Sequence, residues 1–430
     1  MKVKFYTLGC KVNQYESQAM TEQLLNNGYT LCSPKEKADV IVVNSCTVTN
    51  EADRKTRQAV RRFKKNNPDS VVVLTGCVPQ AYPEKARELL EADIVLGNKS
   101  NLLLAEALDE FFRTKERVFK VSEHKKGDPF RVQTISRFEE RTRASVKIQD
   151  GCNRFCSYCA IPYARGRVRS KPLDVIRDEI TVLAENGYKE IVLVGINLSS
   201  YGSDIGTTFP EAVKAADSVE GILRVRLGSL EPDHLTDEVI SELAKCKKLC
   251  PQFHISLQSG CDNTLKRMNR HYTAEEYRHL ANKLREVFPD CTLTTDIMVG
   301  FVGETEEDFL ESLHFAEEIG FEKVHVFPYS IRKGTRAEGF TGHLDKSVKE
   351  QRSRMMIERT EKIRSGFMKK QIGKTVEVIF ETADEKGFLN GYTANYTPVK
   401  AKLCESLCVR PVKIKITDAE DDFCIGVTDE

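Results

Sequence analysis

The sequence lacks a long apolar run. A membrane-spanning helix needs roughly 18 or more consecutive apolar residues, and none of the 430 residues lies in such a stretch. The first ten residues, MKVKFYTLGC, also lack the apolar core and small-residue cleavage site of a signal peptide, and they favour a strand instead. We therefore expect a cytoplasmic protein that does not associate with membranes.

The sequence also lacks a marked charge of either sign. Its 65 Lys and Arg are balanced by 64 Asp and Glu, which gives a formal net charge of +1. This balance excludes binding of nucleic acid through overall charge, so any such binding would need local basic patches. Solenoid repeats and low-complexity tracts are absent as well, and the length suits about three domains.

Cysteine, in contrast, is plentiful, with 14 residues. In a reducing compartment, clustered cysteines favour metal ligands or catalytic groups over disulfides. Cys152, Cys156 and Cys159 fall within the single stretch CNRFCSYC, and no second Cys or His pair follows nearby. A closed zinc site needs a fourth ligand, whereas a 4Fe–4S cluster held by three cysteines keeps one iron open. The next pair, Cys246 and Cys250, is interpreted as two reduced thiols on one helix face.

The first hundred residues alternate buried-strand and helix patterns. Near-continuous Val, Ile and Leu runs, separated by helices such as 50–66 and 83–91, predict a doubly wound parallel sheet. In such a sheet the carboxyl ends of the strands form the usual ligand crevice. Cys10, Cys46 and Cys77 each follow one of the first three strands, so we expect them to converge there; the alternative is three inert buried thiols.

The rest of the chain divides into two further patterns. Six strand–helix units predict a partial (β/α)6 barrel with its chemistry in the loops after the strands, and the three-cysteine loop follows the first strand. A charged helix is predicted over 346–371. Five short alternating strands then predict a small antiparallel, OB-like β-barrel of a kind that often binds oligonucleotides. The six barrel strands are expected at 144–149, 190–195, 222–229, 252–258, 292–300 and 323–330.

The stretch CNRFCSYC, with an aromatic residue before its last cysteine, resembles the signature of radical S-adenosylmethionine enzymes. The resemblance implies that Cys152, Cys156 and Cys159 hold a 4Fe–4S cluster. The open iron would chelate S-adenosylmethionine, and electron transfer would cleave this cofactor to a 5′-deoxyadenosyl radical. The cofactor-binding positions that the resemblance and strand-end placement suggest are Tyr158, Gly195, Glu231, Gln258, Ile297, Val299 and Gly300.

The stretches TLGCKVNQYES, NSCTVTNEAD and TGCVPQ are similar to the N-terminal domain of the methylthiotransferases, a family within that superfamily. There, the cysteines matching Cys10, Cys46 and Cys77 hold a second, auxiliary 4Fe–4S cluster that carries the sulfur as sulfide or persulfide. The similarity implies an N-terminal domain over 1–125, a radical core over 138–366 and an RNA-binding TRAM barrel over 368–430.

The family implies a reaction and a substrate. GCKVNQYES and HISLQSG look most like the branch that methylthiolates N6-threonylcarbamoyladenosine at C2, at position 37 of tRNA, with two S-adenosylmethionine molecules per turnover. Implied partners are the tRNA anticodon stem-loop and an electron donor such as flavodoxin or ferredoxin, and the protein is expected to be a monomer. The alternatives are isopentenyladenosine-tRNA or a ribosomal protein as substrate, or a zinc-stabilised RNA-binding protein without catalysis.

Local basic segments are the candidates for RNA binding. Residues 54–65 contain seven Lys and Arg and no acid, although such a helix face can simply be solvated. RGRVRSK, beside the three-cysteine loop, is a second basic segment, and Tyr392 and Tyr396 are expected as exposed aromatics on the terminal barrel. The arginines assigned to RNA are Arg57, Arg61, Arg62, Arg165, Arg167 and Arg169.

Overall fold

A computed structural model describes residues 1–33, 36–138, 142–402 and 410–428. Cys404 and Cys408, interpreted from the sequence as structural or incidental, lie outside these residues. Within the described ranges, no helix is long and apolar enough to cross a membrane.

The N-terminal unit is a six-stranded parallel sheet with the order β2-β1-β3-β4-β5-β6. Its strands are β1 (Lys2–Thr7), β2 (Thr30–Leu31), β3 (Val40–Ser45), β4 (Val71–Gly76), β5 (Ile94–Leu96) and β6 (Val118–Lys120). The helices are α1 (Lys11–Asn26), α2 (Asn50–Asn66), α3 (Cys77–Ala81), α4 (Pro83–Arg87) and α5 (Leu104–Thr114). Apolar side chains from alternate strand positions pack against helices on both faces, which confirms the doubly wound prediction.

The helix predicted over 83–91 is shorter, and α4 ends at Arg87. The guanidinium of Arg117 donates hydrogen bonds to the carbonyls of Ala86, Arg87 and Leu89. These carbonyls would otherwise need partners from a further helical turn, so a distant side chain ends the helix early.

The central unit is a partial (β/α)6 barrel, as predicted. Two parallel sheets, β11-β10-β7 and β12-β13-β14, adjoin through a bridge between Leu230 and Ile255. The strands are β7 (Arg143–Lys147), β10 (Glu190–Val194), β11 (Arg224–Leu227), β12 (Gln252–His254), β13 (Thr292–Val299) and β14 (Lys323–Pro328). A short hairpin, β8 (Gln149–Asp150) with β9 (Arg169–Ser170), encloses the three-cysteine loop.

Helices cover the outside of this barrel and bury one large apolar core against it. They are α7 (Leu173–Glu185), α8 (Phe209–Asp217), α9 (Asp237–Leu243), α10 (Asp262–Arg267), α11 (Ala274–Val287), α12 (Glu306–Ile319) and α13 (Lys346–Lys369). The short α6 (Ile161–Arg165) packs instead against α3 of the N-terminal unit. Because α9 ends at Leu243, Cys246 and Cys250 lie after it and not on one helix face. Both thiols are buried.

The C-terminal unit is a closed five-stranded barrel with the order β15-β16-β17-β19-β18. Its strands are β15 (Thr375–Ala383), β16 (Leu389–Thr393), β17 (Pro398–Ala401), β18 (Val412–Ala419) and β19 (Cys424–Thr428). Arg224 and Arg226, at the start of β11, donate hydrogen bonds to the carbonyls of Tyr392, Thr393 and Ala394. The small barrel is therefore bound to the amino-terminal end of the large one.

Candidate active site between two cysteine triads

Cys10, Cys46 and Cys77 converge at one edge of the N-terminal sheet, as strand-end placement predicts. Cys10 follows β1 and Cys46 follows β3, so the pair flanks the point where the strand order reverses, the usual ligand crevice of such sheets. Cys77 begins α3 directly after β4. Gly9 allows the close approach, because a Cβ there would lie 2.8 Å from the Cβ of Cys46.

Hydrogen bonds fix the strand ends that carry this N-terminal triad. Asn13 on α1 accepts a hydrogen bond from the Cys10 thiol at 3.2 Å and donates one to the carbonyl of Ser45 at 2.9 Å. The hydroxyl of Ser45 donates to the carbonyl of Thr75 at 2.6 Å and accepts from the amide of Val78 at 3.1 Å. The backbone beside all three cysteines is therefore held by side chains.

The thiols of the N-terminal triad influence one another electrostatically. Burial, together with the neighbouring Cys77 and Cys10, raises the pKa of Cys46 to about 12. Burial likewise raises the pKa of Cys77, while Arg165 opposes this effect. Three thiolates held together, two of them buried, need a compensating cation, which is the chemistry of a metal-binding donor set.

Arg165 connects this triad to the central barrel. It lies at the end of α6, in the same loop region as Cys159, and its side chain is 1% exposed. Its Nε donates to Cys77 Sγ at 3.3 Å, and its other nitrogens bind both carboxylate oxygens of Glu16 on α1. Asp150 also lies 3.6 Å from this guanidinium. A single buried cation therefore spans the two units.

Cys152, Cys156 and Cys159 form the second triad, in the loop closed by the β8–β9 hairpin. The amide of Cys152 donates to the carbonyl of Gly166 at 3.0 Å, and the amide of Cys159 donates to that of Cys156 at 3.0 Å. Burial and the neighbouring Cys156 raise the pKa of Cys159 above its usual range. The barrel thus places this triad after its first strand, where (β/α) barrels keep their active sites.

Two polar side chains that sequence reasoning missed as site residues lie against this barrel triad. The guanidinium of Arg270 donates to Cys156 Sγ at 3.3 Å and forms an ion pair with Glu231. The amide of Asn197 lies 3.7 Å from Cys152 Sγ. An isolated Arg or Asn in a loop carries no pattern of its own, so only the folded structure assigns these residues to the site.

The sulfur spacing of the two triads distinguishes between kinds of metal site. One zinc ion bound by thiolates at about 2.3 Å holds its sulfurs about 4 Å apart. In the part of the chain that the structure describes, three such ligand atoms all lie within 4.8 Å of one another only for Cys261, Asp308 and Glu311. The triads are therefore too open for a single ion as they stand. Three thiols with wider spacing and a nearby guanidinium suit a larger cluster.

Six of the predicted cofactor positions lie towards or beyond the carboxyl ends of barrel strands, and Tyr158 lies within the three-cysteine loop. Gly195, Glu231 and Gln258 follow β10, β11 and β12, and the backbone of Gln258 bridges that of Ile297. The side chain of Ile297 is fully buried in the outer core, so only its backbone faces the site.

The other predicted cofactor positions have clear structural surroundings. Val299 is buried in the same outer core. Tyr158 packs edge-on against Phe301 at 6.1 Å, and burial raises its pKa well above the usual range. Gly300 has φ +69°, and a Cβ there would meet Lys349 on α13 at 2.5 Å. The positive φ of this strand-to-helix turn and its packing against α13 are enough to explain a glycine here, without a cofactor contact.

A cavity of about 960 Å³ lies inside the barrel and reaches both neighbouring units. Cys10 of the N-terminal triad lies at one side, and Tyr392, Asn395 and Tyr396 of the small barrel lie at another. The cavity is large enough for a nucleoside, because ligand pockets typically measure about 300–1,000 Å³. One triad's thiol and the interior of the catalytic barrel therefore share a single space.

The structure changes the assignment of several RNA-binding candidates. Arg165 and Arg169 are buried, and both face the carboxylate of Asp150, so neither is available to a phosphate. Arg167 remains exposed and covers the ring of Phe155 at 4.6 Å. Arg165 is turned inwards at the end of α6, and Arg169 is turned inwards in β9.

The basic helix α2 remains on the surface. Arg57, Arg61 and Arg62 are exposed, with Arg61 paired to Glu91 at 3.1 Å and Arg62 covering Phe63 at 5.1 Å.

Tyr392 and Tyr396 were expected as exposed aromatics, and this expectation is wrong. Their rings stack on each other at 4.4 Å. Arg143 of β7 covers both rings at 5.1 and 5.0 Å, and Arg226 covers Tyr396 at 4.7 Å. These tyrosines join the small barrel to the large one and are only partly exposed, towards the cavity.

Comparisons with known proteins agree with this arrangement. Residues 146–316 match the model of the Radical SAM superfamily, and residues 2–97 match that of the Uncharacterized protein family UPF0004. Among solved structures, the methyltransferase TsrM from Kitasatospora setae superposes with a TM-score of 0.55 at 15% identity, covering 76% of this chain and 72% of TsrM. At that identity the likeness concerns the fold alone.

Curated relatives are similar over nearly the whole chain. The threonylcarbamoyladenosine tRNA methylthiotransferase MtaB of Bacillus subtilis is 38% identical, with 100% of this chain and 97% of the relative covered. Its namesake in Thermotoga maritima is 40% identical, with 92% and 90% covered. The tRNA-2-methylthio-N(6)-dimethylallyladenosine synthase of Clostridium botulinum is 38% identical, with 87% and 85% covered.

Proposed function

The chain belongs to the methylthiotransferase family of radical S-adenosylmethionine enzymes, and from this premise we propose that it modifies tRNA. The reaction we infer is methylthiolation at C2 of N6-threonylcarbamoyladenosine at position 37, beside the anticodon, with two S-adenosylmethionine molecules per turnover. Membership of the family makes the chain a transferase with a 4Fe–4S cluster and S-adenosylmethionine as cofactors. It also sets aside the zinc-stabilised, non-catalytic alternative.

One observation carries the proposal: a thiol of the N-terminal triad lines a nucleoside-sized cavity inside the barrel whose first loop holds the second triad. We assign Cys152, Cys156 and Cys159 to the cluster that cleaves the cofactor. When bound, the cofactor and this cluster supply hydrogen-atom abstraction, which a C–H without acidity or a leaving group requires. We assign Cys10, Cys46 and Cys77 to an auxiliary cluster that carries the sulfur as sulfide or persulfide. Cys10 lines the cavity, and this supports delivery of sulfur to a substrate held there.

The chain's own side chains orient the reacting partners. Arg270 and Asn197 contact two thiols of the barrel triad, so they support the position of the donor set from opposite sides. Arg165 ties the loop region of this triad to Cys77 and Glu16. Fixed placement of this kind supplies the proximity on which a transfer between two sites depends.

We propose roles for the three units of the chain. Residues 1–125 hold the auxiliary cluster, 138–366 form the radical core and 368–430 form the TRAM barrel that contacts the anticodon stem-loop. The exposed residues Arg57, Arg61, Arg62 and Arg167 are the candidates for phosphate contacts, which set affinity and not sequence choice. We expect a monomer that receives electrons from a flavodoxin or ferredoxin.

The choice of adenosine is the finer part of the proposal. The synthase of Clostridium botulinum, which is named for dimethylallyladenosine, is as identical as the Bacillus subtilis relative but covers less of both chains. The fuller coverage supports the threonylcarbamoyl branch. Isopentenyladenosine-tRNA and a ribosomal protein are the alternatives that an experiment must exclude.

Two measurements test the proposal. Nucleosides digested from the tRNA of cells lacking the gene should have lost 2-methylthio-N6-threonylcarbamoyladenosine; retention of that nucleoside with a changed ribosomal protein would overturn the assignment. Reconstituted protein should contain about eight irons, and about four after all three barrel-triad cysteines become Ala, at four per cluster. About four irons in the unmodified chain would contradict an auxiliary cluster.

A further inference from the structure

The inner face of three neighbouring barrel strands is polar. In β12, β13 and β14, alternate residues point into the cavity, and their neighbours in sequence, such as Phe253, Leu293 and Val324, pack outward in the core. The register places His254 and Lys323 on either side of Thr294, and His325 beside Asp296. The polar inward residues are Gln252, His254, Thr292, Thr294, Asp296, Lys323 and His325.

Lys323 differs from the ion-paired cations of this cavity wall. Arg226 binds Glu190, Arg364 binds Asp422 and His254 lies 3.3 Å from Asp296. Across the described residues, no carboxylate lies within ion-pairing distance of Lys323. Burial and the nearby Arg364 lower the pKa of its ammonium, although Asp422 acts in the other direction. An anion bound here would relieve both unfavourable effects.

We propose that these side chains form a subsite for an anionic, hydrogen-bonding substituent on N6 of the substrate adenine, and that Lys323 binds its carboxylate. This inference rests on the proposed function and deepens it, because it assigns the choice of adenosine to particular residues. A threonylcarbamoyl group offers a carboxylate, a hydroxyl and urea-type N–H groups to the polar wall. A dimethylallyl group offers none of these.

The energetics favour the polar substituent. Polar side chains covered by a hydrocarbon lose water without gaining a partner, and each such loss costs free energy. Sites built to bond a polar substituent therefore reject its apolar analogue strongly, whereas a merely apolar pocket discriminates only weakly. The wall formed by His254, Thr294 and His325 is a site built to bond a polar substituent.

The dimensions also suit this substrate. The chemistry belongs at the carboxyl ends of the strands, near Phe327 and Met298, and Lys323 lies four residues before Phe327. At about 3.3 Å per residue this separation is about 13 Å, which accommodates a purine with its substituent. Adenine C2 can thus lie at the reactive end while the carboxylate lies at Lys323.

The test combines a change in the enzyme with a matched change in the substrate. Reconstituted holoenzyme, with Lys323→Met and the exposed control Lys346→Met, is assayed on three anticodon stem-loop RNAs. Their adenosine 37 carries threonylcarbamoyl, the same group with its carboxylate converted to a neutral amide, or dimethylallyl. We expect unmodified enzyme and the control to prefer the carboxylate over the amide by about 10- to 100-fold in kcat/KM, the range for a charged hydrogen bond.

The Lys323→Met variant should lose this preference, with similar kcat/KM on carboxylate and amide RNAs. Equal use of carboxylate and amide by the unmodified enzyme overturns the inference and leaves the proposed function standing, even if the variant does not fold. A preference that survives in the variant overturns the assignment to Lys323. If the unmodified enzyme prefers the dimethylallyl RNA instead, the proposed function itself fails.

Discussion

Arg165 is the residue on which the two triads depend together. Its guanidinium is buried against the carboxylate of Glu16 and the thiol of Cys77, both in the N-terminal unit. The backbone of Arg165 belongs to the central barrel. Removing one member of a buried ion pair leaves the partner charge without compensation, and this typically costs about 3–5 kcal/mol. Glu16 would keep only Lys147 as a partner, so the loss here should fall below that range.

We therefore expect Arg165→Leu to lower the thermal unfolding midpoint of the iron-free chain by several degrees. The exposed neighbour Arg167 provides the control, since Arg167→Leu should leave the midpoint nearly unchanged. Differential scanning calorimetry measures the unfolding midpoints of the unmodified chain and the two variants. Equal midpoints for the Arg165 variant and the unmodified chain would show that the bridge contributes no stability.

Arg165 also illustrates what a sequence conceals at this scale. In RGRVRSK three arginines look equivalent, and positive charge beside a cysteine loop suggests a phosphate. The end of α6 buries Arg165 and strand β9 buries Arg169, while Arg167 between them stays outside. The hairpin pairs residues nineteen to twenty-one positions apart, from Gln149 with Ser170 to Asp150 with Arg169, so its register is not visible in local periodicity.

At the scale of elements, the segment between β6 and β7 joins the units more closely than a linker would. His124 in this segment lies 3.0 Å from the side-chain oxygen of Asn98 and 3.2 Å from the carbonyl of Ala164 on α6. Burial, aided by the nearby Arg169 and Lys99, lowers the pKa of His124 to about 4, although Asp150 acts in the opposite direction. Asp128 lies 3.8 Å from its Nδ1.

This histidine should make the fold sensitive to acid. In the unfolded chain a histidine binds its proton near pH 6.5, whereas folded His124 stays neutral to about pH 4. The unfolded state therefore binds more protons in this window, and stability falls as the pH falls from about 6.5 to about 4, by a total on the order of 3 kcal/mol.

His124→Gln should make the free energy of unfolding depend less on pH within this window. The measurement is the urea midpoint between pH 7 and pH 4. His279→Gln is the matched control, because the side chain of His279 is 67% exposed and its removal should leave the slope intact. An unchanged slope in the His124 variant would rule out this histidine as its source.

The elements were the part of the fold best predicted from the sequence. Buried Val and Ile runs in β3 and β4, and helix α2 over 50–66, follow directly from local patterns. The convergence of Cys10, Cys46 and Cys77 follows from parallel topology and was therefore predictable too. The end of α4 was not, because it depends on Arg117, thirty residues further along the chain.

At the scale of the whole molecule, the N-terminal unit contacts both edges of the open barrel. On one side Glu16 of α1 binds Lys147 of β7 at 2.7 Å. On the other, Arg332, which follows β14, binds Asp53 at 2.8 Å and Thr47 beside Cys46 at 2.7 Å. The unit thus spans the gap between the first and last barrel strands.

We expect Arg332→Met to weaken the attachment of the N-terminal unit to the last barrel strand. The side chain of Arg332 is 2% exposed, so the loss leaves Asp53 buried with only the Thr47 hydroxyl as a partner and should cost about 3–5 kcal/mol. Chemical denaturation measures the effect, with the exposed neighbour in Lys333→Met as the control. If Arg332→Met lowers the free energy of unfolding no more than Lys333→Met does, other contacts hold the N-terminal unit against the barrel.

The placement of the small barrel could not have been predicted from its own pattern. Five alternating strands predict its closed fold, yet Tyr392 and Tyr396 look like surface aromatics until Arg143 and Arg226 of another unit cover them. These contacts of Arg143 and Arg226 join residues more than a hundred positions apart. No local pattern records such pairs.

The loop Ala394–Thr397 between β16 and β17 forms the floor of the cavity, and it comes from a different unit than the walls. Its Asn395 carbonyl accepts a hydrogen bond from Thr292 at 2.6 Å, and Arg226 holds the carbonyl of Ala394 at 2.8 Å. If the proposed subsite is right, this floor limits the length of a substituent that extends down from the reactive end. Lengthening or shortening this loop would change the longest substituent admitted while every cysteine stayed in place. A lineage could thus acquire a new substrate by remodelling its tail, and keep its catalytic barrel untouched.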